Sequence, residues 1–94
     1  LPAQAAEQLA RLEMLEDAVA KSAGSHGELR KRADDLYQAR VQQLAKANNV
    51  DEAAAHGLAV NDEIAARAYA ASEELAADHE HAYEAGGQIA RYLG

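Results

Sequence analysis

Asn61-Asp62-Glu63-Ile64-Ala65-Ala66-Arg67-Ala68-Tyr69-Ala70-Ala71-Ser72-Glu73-Glu74-Leu75 is the stretch that decides the fold. Ile64, Ala68, Ala71 and Leu75 recur at intervals of four, three and four, the spacing that lines one side of an α-helix. Asn61 reads as the N-cap, with Asp62 and Glu63 in the first turn, where negative charge suits the helix dipole. The stripe continues through His79, Ala82, Gly86, Ile89 and Leu93, so the spacing predicts a helix over 61–93. Gly86-Gly87 either kinks or ends it, because each mid-helix glycine costs about 1 kcal/mol relative to alanine.

Upstream of Asn61, Asp51 is placed to cap a short helical segment, 52–58, interrupted at Gly57. Before that, a helix is expected over 28–48 with Leu29, Ala33, Leu36, Tyr37, Val41, Leu44 and Ala47 inward. Asn48-Asn49 supplies its stop, since asparagine tolerates left-handed backbone geometry. The first helix is expected over 3–22, opened by Pro2 and lined by Leu9, Leu12, Leu15 and Val19. Ser22-Ala23-Gly24-Ser25-His26-Gly27 breaks the chain between these two helices. The expected fold is all-α: one domain, 1–94, forming an up-down bundle of three main helices plus a short connecting segment.

Alanine makes up roughly a quarter of the chain, and Leu, Ile and Val together about 17%. That aliphatic fraction, with a net charge of -7, lies at the compositional edge of disorder, and the helical periodicity and alanine's helix propensity decide for folding. Alanine-lined helices approach closely but bury little area each, at about 25 cal/mol per Å². A core this thin leads us to expect completion by self-association, or by docking on another helical protein.

The net charge lies wholly in the second half. Up to Asn48, seven bases cancel seven acids; from Asn49 onward, Arg67 and Arg91 face nine acids. Most bases of the first half have an acid one helical turn away: Glu7–Arg11, Asp17–Lys21, Glu28–Arg32, Arg30–Asp34 and Lys31–Asp35. The cluster Arg30-Lys31-Arg32 is thus locally neutralised, and its members point about 100° apart around the helix. Nucleic acid is therefore not an expected partner, because no basic face is present. No apolar run approaches the length of a membrane span. Leu1-Pro2-Ala3 has neither the basic start nor the apolar run of a signal peptide, which favours the cytoplasm. With no initiator Met, the sequence reads as a fragment or a processed form, and with no cysteine it offers no thiol chemistry.

Candidate chemistry concentrates in the acidic helix. Asp78-His79-Glu80-His81 is dense in potential ligands, yet His79 and His81 lie about 200° apart on a helix and cannot grip one ion together. Glu74, Asp78, His81 and Glu84 do share a face. The Asp78-x-x-His81 pair resembles the Glu-x-x-His ligand pair of ferritin-like di-iron bundles, with Asp for Glu and no second copy. That resemblance implies a carboxylate/histidine metal site completed by dimerisation, as the alternative to a solvated acidic face. His79, on the apolar stripe, suits a packed histidine hydrogen-bonded across the bundle to Tyr37. His79 and His81 are also the candidate pH-sensing residues, pulled in opposite directions by burial and by neighbouring acids.

Ser25-His26 lacks a third orienting group for nucleophilic catalysis. Ser25-His26-Gly27-Glu28-Leu29-Arg30 also resembles the Ser-His-Glu-Leu-Arg box of sensor histidine kinases, with Gly27 breaking the register. Tyr69-Ala70-Ala71-Ser72-Glu73 resembles the Tyr-x-x-x-Asp/Glu signal of type VII secretion substrates, which implies a small secreted helical protein. No tryptophan is present for that group's companion turn. Tyr69, Tyr83 and Tyr92 are the candidate interaction residues, since exposed tyrosines make good interface anchors. The expectation is a protein–protein interaction or assembly module, without catalysis and without a cofactor.

Overall fold

A computed structural model of the chain describes residues 3–77, which hold four helices and no strand. They are α1 (Ala3–Ala20), α2 (His26–Asn48), α3 (Glu52–Ala59) and α4 (63–77). Helices α1, α2 and α4 form an all-α up-down bundle, and α3 is the short connector packed on α2. The expected continuation of the last helix over 78–93 lies outside the described residues.

Helix ends follow local chemistry, with shifts of one or two residues from the sequence reading. Helix α1 stops at Ala20 rather than 22, because Ser22 turns left-handed at φ 52°. The Ser22 and Ala23 amides then donate to the Val19 and Ala18 carbonyls at 3.1 and 2.9 Å, closing the end of the helix. Ser25 caps α2 by accepting from the Glu28 amide at 3.1 Å, so this helix starts at His26 and not at 28. Asn49 ends α2 in left-handed geometry, as its side chain permits, with Val50 N donating to Ala45 O at 3.0 Å. Asp51 accepts from the Ala54 amide at 2.8 Å and caps α3, which runs through Gly57 to Ala59 without the expected interruption.

The cap of the decisive helix is Asp62, not Asn61. Its Oδ2 accepts from the Ala65 amide at 3.0 Å, and α4 therefore begins at 63. A charged carboxylate suits this position better than an amide, because the same group also pairs with Arg40 of α2.

The core is built in three layers. Ala5, Leu12, Leu36, Ile64 and Ala68 form one, with Leu9 and Tyr37 at its edge. Leu15, Leu29, Ala33, Ala71 and Leu75 form the second, with Val19 and Ala18 alongside. Val41, Ala55, Ala59 and Ala65 pin α3 to α2 and to the start of α4. Among the described residues, seven of the fourteen buried apolar residues are alanine, so the helices meet over short side chains and the core is thin. Ala47, expected inward, is exposed beside the end of α2.

Polar clamps supplement this thin packing. Arg67 of α4 reaches Glu16 of α1 through two hydrogen bonds and Glu63 through a third. Ser72, buried on α4, donates its hydroxyl to Asp34 of α2. Arg40 also donates to Gln43 at 2.9 Å and to Gln8 of α1 at 3.3 Å, and Gln43 donates to Gln4 at 3.0 Å. Charge thus ties α4 to α1 through Arg67–Glu16 and to α2 through Arg40–Asp62, and glutamine amides tie α1 to α2.

Candidate interaction surface

Three rings stand in a row where α2, α3 and α4 meet. Tyr37 of α2 lies 5.7 Å from Tyr69 of α4, tilted by 56°, and 5.7 Å from His56 of α3, tilted by 35°. These are tilted aromatic contacts of the favourable kind. The Tyr37 hydroxyl and His56 Nδ1 are hydrogen-bonded at 2.9 Å. His56 in turn has Glu52 one turn earlier, 3.8 Å from its Nε2. Tyr37 was expected to meet His79; its hydroxyl is instead engaged by His56, and His79 lies outside the described residues.

Tyr69 stays 54% exposed although its ring rests on Tyr37. Hydrogen bonding to Glu73, one turn later, and the charge of that carboxylate hold the Tyr69 phenol above its ordinary value, so it stays a proton donor. Val60, at the end of α3, is 74% exposed. Between Val60 and Tyr69 runs a groove of about 430 Å³, lined also by Tyr37, Ala59, Ala65 and Ala66. On the other side of the same tyrosine pair lies a second groove of about 340 Å³, lined by Arg30, Asp34, Gln38, Ser72 and Glu73. The Tyr37–Tyr69 pair is a wall with an apolar hollow on one side and a polar hollow on the other.

A separate opening between α1 and α2 exposes Met14 beside Leu15, Leu36 and Ala39, with Arg11, Arg32 and Asp35 at its margin. It contains no aromatic ring. The Tyr69 side is the better-built surface of the two.

Of the residues singled out in the sequence, Tyr69 falls at the centre of this surface. Glu74 lies exposed on α4, near Glu16, Val19 and Arg67 rather than on the tyrosine wall. Asp78, His81 and Glu84 of the candidate metal face lie outside the described residues, as do Tyr83, Tyr92 and His79. Among the described residues, no group of three His, Cys, Asp or Glu side chains is gathered to hold a metal ion. Ser25 serves as a helix cap, and His26 is exposed in the first turn of α2.

Sequence reasoning missed His56 and Val60. The Glu52/His56 spacing of four was legible as a helical pair, but the contact with Tyr37 crosses nineteen residues and leaves no local signal. Among the described residues no helix is long and apolar enough to cross a membrane. Compared with protein-family models, curated proteins and solved structures, the chain matches none of them.

Proposed function

We propose that this chain is a non-catalytic protein–protein interaction module, and that the Tyr69–Val60 surface of its bundle is where a partner docks. One observation carries the reading. Val60 and Tyr69, both more than half exposed, flank an apolar groove whose floor is Ala59, Ala65 and Ala66. Small residues on the floor let a partner's side chain approach the backbone, and the rings form its walls. A tyrosine at the centre of a contact commonly contributes a large share of binding energy. Caps and polar clamps hold the surrounding helices, so the surface is preformed and little ordering is needed on binding.

The test is sedimentation of the purified chain together with affinity capture from the native host, run on wild type, Val60→Asp, Tyr69→Ala and Met14→Ala. The reading expects a self-associated species or captured partner that Val60→Asp and Tyr69→Ala abolish and Met14→Ala retains. A bound species indifferent to both tyrosine-side substitutions, or a monomer that captures nothing, overturns it.

A further inference from the structure

The tyrosine wall separates two hollows of different character, and their chemistry specifies the occupant. On the Val60 side the lining is aliphatic and small. On the other side two carboxylates, Asp34 and Glu73, line the groove against one guanidinium, Arg30. The wider surroundings lean the same way. Over residues 51–77 the chain has six acids, Asp51, Glu52, Asp62, Glu63, Glu73 and Glu74, against the single base Arg67. Arg67 is already engaged by Glu16 and Glu63, and Asp62 by Arg40. Of these six acids Glu73 lines the groove, and with Asp34 against Arg30 it leaves the groove with one carboxylate more than its bases.

This charge selects among occupants. A second copy with this groove on the two-fold axis would bring Asp34 and Glu73 close to their own counterparts, with one Arg30 on each side to answer two carboxylates, and the like charge left over opposes assembly. A cationic partner relieves that surplus. A lysine or arginine beside Glu73 would also sit against the Tyr69 ring, whose face attracts cations. On an α-helix, residues three or four apart stand side by side, so one helix can offer an aliphatic anchor and a cation to two adjacent hollows.

We propose that the Tyr37–Tyr69 wall receives a basic amphipathic helix of a partner protein, with an aliphatic side chain on the Val60 side and a lysine or arginine on the Glu73 side. This rests on the interaction-module reading above and deepens it by naming the chemistry of the partner. Charge steers the encounter and the apolar groove retains the partner, so affinity falls as salt rises.

The experiment uses the whole chain, labelled with ¹⁵N, and a short capped peptide carrying leucine and lysine at amphipathic helical spacing. Two control peptides replace every lysine by glutamine or by glutamate. The lysine peptide is expected to bind best, with amide shifts centred on Val60, Ala66 and Tyr69. Val60→Asp and Glu73→Lys should each weaken it about tenfold, a typical loss for an interface anchor. Both positions are exposed, and circular dichroism checks that each variant keeps its helices. Equal binding of the glutamine peptide at the same residues overturns the basic partner while leaving the interaction module standing. Shifts spread over other acidic surfaces, or no binding of the lysine peptide, also overturn the proposal. Capture experiments with Tyr69→Ala then decide separately whether the surface docks anything.

Discussion

Arg40 on α2 grips Asp62 at the start of α4 with two parallel hydrogen bonds, Nε to Oδ2 at 2.8 Å and Nη2 to Oδ1 at 2.7 Å. Both side chains are largely covered, 13% and 16% exposed, so water screens the pair little. The same Asp62 carboxylate accepts from the Ala65 amide and caps the helix that carries Tyr69. One residue thereby fixes where α4 begins and how it sits against α2. Asp62→Ala removes both the ion pair and the cap, and should cost about 3 kcal/mol by leaving Arg40 covered without its partner. Asp62→Ser keeps a capping oxygen and should recover about 1 kcal/mol of that loss. Urea unfolding of both variants measures the difference; equal losses would show that the cap contributes nothing.

The same pair sets an acid limit. Hydrogen bonding to Arg40 holds the Asp62 carboxyl below its ordinary value, and the pair raises Arg40. A group depressed in the folded state stabilises above its unfolded value, about pH 4, and that stability fades as pH falls towards the folded value. Arg40, being raised, stays charged through the acid and neutral range and loses its contribution only in strong alkali. Stability should therefore drop as pH falls below about 4. Asp62→Ser should show a shallower drop than wild type over that acid range. Denaturation curves at successive pH values check the slope.

The bundle was legible in the sequence because its signals are local. Ile64, Ala68, Ala71 and Leu75 mark the buried side of α4, and all four are buried. Asp51 and Asn49 announce their helix ends through short-range chemistry and occupy the expected positions. The capping oxygen of α4 fell to Asp62 rather than Asn61 because Arg40, twenty-two residues away, holds that carboxylate at the start of the helix. The candidate surface was half legible: Tyr69 stood out, with Tyr83 and Tyr92, as a tyrosine able to anchor an interface if exposed. Its neighbours Tyr37, His56 and Val60 come from two other helices, and only the packing of α3 on α2 brings them together.

Tyr37→Phe separates the hydroxyl from the ring. It removes the hydrogen bond to His56 Nδ1 and leaves a half-buried nitrogen to find water, at a cost of about 1 kcal/mol. The ring contact with Tyr69 survives, so docking on the tyrosine wall should be unchanged within about twofold. Thermal unfolding and the ¹⁵N shifts of the His56 ring check the first expectation. Peptide or partner affinity checks the second, and a large affinity loss would assign the hydroxyl itself to the interface.

Ser22 offers a stabilising substitution that touches no contact of the core. Its φ of 52° is left-handed, a conformation in which an L-residue with a Cβ is strained and glycine is not. Its amide already closes the end of α1 on Val19, so glycine keeps that hydrogen bond. Ser22→Gly should raise stability by about 0.5–1 kcal/mol, the backbone relief slightly offset by glycine's freer unfolded chain. Gly24 gives the mirror experiment: its φ of 140° suits glycine alone, so Gly24→Ala should destabilise by more than about 1 kcal/mol although the added methyl would meet only ordinary contacts near 3.7 Å from Leu29. Opposite signs at two positions of one turn would show that backbone geometry, rather than side-chain packing, sets the junction of α1 and α2.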